Sequence, residues 1–274
     1  MDLLIRILNL YRQLQPLLPQ LYLHPCHHLP SLSLTHQHFL ICRQVRQQEL
    51  GASLMSMVTM PCIFTYQFFF PVNISSPSKK ELSAFLKKVS SREPNLNVID
   101  VDVPLNVLCK NDEKLEQVAL GREFHISLGR TVPIRVHQID SVISMLKQKL
   151  QIQRQFWIDF NKWEVFVNDD HTRTFLSVEV VQGGLIEITK QIEAVNTVYR
   201  LHNLAEFYKD PHPHISLAWA LGDISHSLKK VVDEEMKCAV GKSFKKSIFS
   251  CKFKGIECKI GKKAYTICKI PDGH

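Results

Sequence analysis

Two histidines, His125 and His214, stand in the same tetrapeptide, HISL, which occurs twice in a chain of 274 residues. In each copy a hydroxyl follows two positions on, at Ser127 and Ser216. The neighbouring residues alternate in polarity, which predicts a half-buried strand. Residues i and i+2 of a strand point to one face, so each copy sets an imidazole beside a hydroxyl while Ile and Leu face the core. Two such strands placed side by side would gather two imidazoles and two hydroxyls around one small pocket. One neutral imidazole can take a proton from an attacking hydroxyl, and one imidazolium can give a proton to a leaving oxygen. The hydroxyls can donate to non-bridging phosphate oxygens as charge develops there. Such a set suits acid–base cleavage of a phosphodiester with no metal and no other cofactor. A lone His-x-Ser on a strand is commonly structural; the repetition in one apolar frame is what points to a site.

The elements that must carry these strands can be read from the periodicity. A strand is expected at about 62–72, then a helix at about 78–90 with Ser76 or Ser78 as N-cap and Leu82, Phe85, Leu86 and Val89 on one face. A second strand is read over 98–103, the first HISL strand over 122–130, and a helix over about 136–153. The segments 156–167 and 173–181 alternate cleanly and predict a hairpin around the polar turn 168–171. A helix at about 184–202, the second HISL strand at 213–220, a helix at about 222–237 and a two-stranded ribbon over 252–270 complete the chain. Gly183-Gly184 and Gly222-Asp223 punctuate it. The fold class expected is α+β, bilobal, with two antiparallel sheets facing a central cleft and helices outside. Residues 61–274 form the expected domain.

Residues 1–60 differ in kind from the rest. They contain no lysine, two acids (Asp2 and Glu49) and five of the thirteen histidines. Three readings compete: a transit-like leader, a disordered extension, or sequence foreign to the mature protein, and the last is favoured. A secretory signal does not fit, because Arg6, Asn9 and Arg12 interrupt the apolar start. No apolar run of about 18 residues occurs, so no transmembrane helix is expected. The eight cysteines form no CxxC pair, which argues against zinc; with no secretory signal expected, they read as reduced thiols in an intracellular compartment. A net charge of +8 favours a polyanionic partner such as RNA. From Lys229 onward twelve lysines face five acids. These can guide an RNA backbone, or they can serve as a charged edge that discourages strand pairing.

The longer contexts narrow the reading. EFHISLGRTV (123–132), EFYKDPHPHISLAWA (206–220) and TRTFLSVEVV (172–181) between them resemble the two-histidine (2H) phosphoesterase superfamily. Within it they resemble the U6 small nuclear RNA phosphodiesterases, over about residues 62–274. The FYxDPxxHxSLAW pattern is the specific part; HxS alone is not. The resemblance implies a metal-independent 3′-to-5′ exoribonuclease that trims a uridine-rich 3′ end by attack of a 2′-hydroxyl. The expected product end is a 2′,3′-cyclic phosphate or a 3′-phosphate. It implies His125, His214, Ser127 and Ser216 as catalytic residues and a base-stacking role for Tyr208. Asp169, Arg173 and Pro213 are expected near the substrate, with Asp169 standing where the family carries an amide. A monomer acting on RNA in the nucleus, away from membranes, is the corresponding expectation. Another 2H enzyme acting on cyclic phosphates or 2′–5′ linkages, or a non-catalytic RNA-binding module, remain alternatives.

Overall fold

The computed structural model describes residues 63–101, 103–240 and 247–271; the readings for residues 1–60 and the domain boundary at 61 lie outside the described residues. In chain order come strand β1 (Ile63–Val72), helix α1 (Ser76–Arg92), strand β2 (Asn97–Val98), helix α2 (Leu105–Leu108) and helical turns over Asp112–Lys114 and Leu115–Ala119. Next are β3 (Phe124–Ser127), β4 (Val132–Arg135), α3 (Val136–Leu150), β5 (Trp157–Phe160), β6 (Lys162–Val167) and β7 (Arg173–Glu179). The chain continues through α4 (Leu185–Leu201), β8 (His214–Leu221), α5 (Ser225–Val240), β9 (Phe249–Lys252), β10 (Gly255–Ile260) and β11 (Lys263–Lys269).

The first sheet is built on β1. Its even residues Tyr66, Phe68, Phe70 and Val72 are buried, so Gln67, Phe69 and Pro71 turn to the opposite face. β1 pairs antiparallel with β10, β3 and β4, and β11 extends the sheet beyond β10. Register sets Ser127 opposite Phe69 and His125 opposite Pro71. The first His-x-Ser pair therefore shares a face with Gln67 and Phe69, while Phe124, Ile126 and Leu128 are buried beneath. The second sheet runs β2–β8–β7–β6, again antiparallel throughout. A third pairing, β5 with β9, stacks Phe160 on Phe249 at 4.3 Å. The architecture is the expected α+β arrangement of antiparallel sheets.

The sheets do not follow the halves of the sequence. The C-terminal β10 and β11 join the sheet of the first HISL strand, and β2 joins the sheet of the second. Phe253, fully buried, packs edge-on to Phe70 and flat on Phe156, tying the C-terminal segment to β1. Helix α1 presents Leu82, Leu86 and Val89 inward, and Phe85 stacks on Trp163 of β6 at 4.0 Å. Cys251 and Cys258 are buried free thiols, and burial pushes both up to about 12. Among the described residues no helix is long and apolar enough to cross a membrane.

Several expectations need correction. The N-cap of α1 is Ser75, whose Oγ accepts from the Ser78 N–H at 3.4 Å. The predicted strand over 98–103 shrinks to Asn97–Val98. Asp100 adopts a left-handed φ of 65°, and the Val98 N–H donates to the Val103 carbonyl at 2.9 Å, so the chain doubles back instead of extending. The predicted first arm of the hairpin, 156–167, is two strands in different sheets, since β5 leaves to pair with β9 and β6 alone pairs with β7.

Candidate active site

Strands β3 and β8 belong to different sheets, yet their Cα atoms come within 8 Å of one another. This brings the two His-x-Ser pairs together. On β8, Ser177 of β7 lies opposite Ser216 and Leu176 opposite Ala218, so Leu217 is an extra residue, a β-bulge. Ile215 and Leu217 are buried; His214 and Ser216 share the other face with Ser177 and Glu179 of β7. The sequence HISL supplies the alternation, and the bulge keeps Trp219 on that same face by pairing it with Phe175.

His214 is held from three sides. Its Nδ1 lies 2.6 Å from the His212 carbonyl; a carbonyl only accepts, so Nδ1 carries a proton and Nε2 is the nitrogen left for proton exchange. The Phe166 ring stacks on the imidazole at 4.3 Å and 27°. Glu179, directly opposite on β7 and only 3% exposed, accepts from His212 Nδ1 and from Lys162 Nζ at 3.2 Å. Burial pushes the His214 imidazole below its ordinary value, while the His212 carbonyl and then the Glu179 carboxylate act in the opposite sense.

His125 has a different environment. The Gln67 side-chain amide donates to its Nε2 at 2.9 Å, and the Phe69 ring lies 4.9 Å away. Burial lowers its affinity for a proton; Asp100 opposes this, and the charges of Arg122, His214 and Lys259 add to it. Lys259 sits opposite Gln67 on β10, on the same face of the sheet. Ser127 is half-buried beside His125, and the Ser216 hydroxyl lies 3.2 Å from that of the buried Ser177. The chemistry available is therefore two imidazoles in unlike fields, two hydroxyls, and cations at the first imidazole.

Tyr208 is 46% exposed. The Arg130 guanidinium covers its ring at 4.0 Å, and its hydroxyl donates to Asp169 at 3.2 Å, which in turn pairs with Arg130 at 3.1 Å. Asp169 thus organises an arginine and a tyrosine. Arg173 lies over the half-buried Trp219 ring at 4.6 Å. Pro213 is buried and contributes its carbonyl to the Val180 N–H at 2.8 Å, so it shapes the strand entry. His171 stays at the exposed turn and pairs with Asp223 at 2.9 Å. Among the described residues no three His, Cys, Asp or Glu side chains gather as a metal site would require.

Sequence reasoning did not single out Gln67, Phe69, Arg122, Arg130, Phe166 or Glu179. For Gln67 and Phe69 a signal existed: in β1 they fall on the alternate positions of an otherwise aromatic, buried strand. The others depend on register between strands distant in sequence.

A family model described as an uncharacterised conserved protein, HVSL, matches residues 62–268. The U6 snRNA phosphodiesterase 1 of Xenopus laevis is 32% identical over 178 residues, covering 64% of this chain and 69% of that protein. Its counterpart from Danio rerio is 32% identical over 187 residues, covering 68% of this chain and 59% of that protein. That from Dictyostelium discoideum is 37% identical over 114 residues, 41% of each. The chain thus spans about half the length of two of these relatives. Among solved structures, Kluyveromyces marxianus Usb1 with uridine monophosphate superposes with a TM-score of 0.48 at 14% identity, over 75% of this chain and 96% of that one. E. coli LigT complexed with 3′-AMP gives 0.44 at 12%, over 74% and 98%. The sequence matches carry the assignment: the chain belongs to the HVSL family, that of the U6 snRNA phosphodiesterases.

Proposed function

We propose that this chain is a metal-independent RNA phosphodiesterase that shortens a uridine-rich 3′ end, that of U6 small nuclear RNA, one residue at a time in the nucleus, acting as a monomer. The observation that supports it most is the meeting of two His-x-Ser pairs on strands of separate sheets, with their imidazoles in unlike electrostatic surroundings. His125, with Arg122 and Lys259 acting on it, is suited to stay neutral and accept a proton. His214, whose Nδ1–H is engaged by a carbonyl, is placed to give up a proton from Nε2; burial disfavours its charged form, and the His212 carbonyl and the Glu179 carboxylate work against burial.

In this reading His125 removes the proton from the 2′-hydroxyl of the penultimate nucleotide. The freed O2′ attacks the adjacent phosphorus, and the P–O5′ bond breaks as His214 protonates O5′. The terminal nucleoside departs and a 2′,3′-cyclic phosphate is left. Attack by water on the ring would return the protons and yield a 3′-phosphate. Ser127 and Ser216 donate to the non-bridging oxygens, and Tyr208 stacks on a base.

The test is incubation with 5′-labelled oligouridine in EDTA beside His125→Ala and His214→Ala. Stepwise 3′ shortening that persists in EDTA and falls roughly 10²–10⁴-fold in each variant is the expected result. Near-normal turnover in either variant removes that histidine from the reaction.

A further inference from the structure

Main-chain pairing does not hold the two His-x-Ser strands in register, because they lie in different sheets. One side chain crosses between them. Arg122, two residues before β3, donates from Nη2 to the main-chain carbonyl of Ser216 at 2.5 Å. Its Nη1 donates to Asp100 Oδ2 at 3.0 Å, and its guanidinium lies 4.3 Å over the Phe124 ring. β2 ends where Val98 pairs with Ala218, so Arg122 serves the stretch of β8 that β2 does not reach. The side chain is only 14% exposed, and among the described residues its buried Nε has no partner.

A guanidinium in this position is costly for stability. Burying a charge carries a desolvation penalty that one exposed carboxylate does not fully offset, and an apolar side chain would fill the space over Phe124 without it. What an apolar residue cannot do is bond the carbonyl of one His-x-Ser strand while anchored at the start of the other and carrying charge.

We propose that Arg122 is a positioning residue for the histidine pair: it ties Ser216 to the strand of His125 and places a fixed positive charge beside that imidazole. The inference rests on the reading above that the pair is catalytic. The charged groups acting on His125 are Asp100, which favours its protonation, and Arg122, His214 and Lys259, which disfavour it; burial disfavours it most. Removing Arg122 deletes an opposing cation and frees Asp100, so both changes raise the pH at which His125 titrates. Removing Asp100 lowers it.

The test uses the full chain with Arg122→Met, Arg122→Lys and Asp100→Asn. The His125 imidazole is followed by NMR titration of its carbon-bound ring protons, assigned with His125→Ala, and RNA cleavage is measured in parallel. Arg122→Met should raise the His125 titration point by roughly half a unit to one unit and lower kcat at least about tenfold with KM within about threefold. Arg122→Lys should return the titration point to that of the parent and recover part of kcat. Asp100→Asn, at an exposed carboxylate, should move the titration point down and keeps the test open if Arg122→Met does not fold. A His125 titration point that stays fixed in Arg122→Met, or in Asp100→Asn where the first does not fold, overturns the proposal, as does an unchanged kcat in Arg122→Met. A parent chain that does not cleave RNA overturns the catalytic reading instead, while the titrations still decide whether Arg122 sets the charge at His125.

Discussion

At the residue scale, the two imidazoles differ in what surrounds them rather than in what they are. Both are pushed below the ordinary imidazole value of about 6.5, chiefly by burial. A base must be neutral, so activity is lost as pH falls through the pKa of His125. An acid must be protonated, so activity is lost as pH rises through that of His214. With both lowered in the free protein, the bell of kcat/KM should peak below about pH 6.5, and a pH–rate series checks this; a maximum above pH 7.5 contradicts the direction of both shifts. Tyr208 offers a second residue-level expectation. Its half-exposed ring is covered by Arg130, and a base that stacks there exchanges that cation for an aromatic contact. Tyr208→Ala should weaken oligouridine binding by about 1–3 kcal/mol in a fluorescence titration. Tyr208→Phe should change it far less, because the hydroxyl donates to the exposed Asp169 and not to a buried group among the described residues.

At the element scale, what was legible in the sequence was whatever depends on one strand or one helix. His125, Ser127, His214 and Ser216 could be placed on one face each because strand alternation is local, and the stripes of α1, α3 and α4 because helical spacing is. The segment VIDVDV at 98–103 alternates as well as any true strand, yet Asp100 turns into the left-handed region and the chain folds back. Alternation in sequence does not guarantee alternate burial: here Val98 is buried, Ile99 half-buried and Val101 44% exposed, because the turn carries the chain off the sheet. Arg122, Glu179 and Phe166 were illegible for another reason. Their partners lie on strands whose register is fixed only in the folded sheet, and Leu217, the bulge that sets His214, Ser216 and Trp219 on one face, leaves no mark in composition. Packing between elements gives its own prediction. Phe253, fully buried between Phe70 and Phe156, anchors the C-terminal segment to β1. Phe253→Ala should lower the stability of the domain by about 3–5 kcal/mol in urea unfolding.

At the scale of the whole molecule, the fold exchanges strands between the two ends of the sequence. Because β10 and β11 complete the sheet of the first motif and β2 borders the second, neither half of the chain carries a finished site. The lysine-rich C-terminal ribbon contributes Lys259 to the face of His125, which gives one of its many cations a place at the chemistry and leaves the others to the general attraction between a basic protein and RNA. The catalytic reading turns on a single claim, that the attacking group belongs to the RNA and not to water. The most direct measurement compares an all-ribose oligouridine with one carrying a single 2′-deoxy residue at the penultimate position, at matched concentration in EDTA. The first should lose its terminal nucleoside, with a cyclic phosphate left behind, and the second should not be cleaved. Release of the terminal nucleoside from the 2′-deoxy substrate at a comparable rate would contradict that claim.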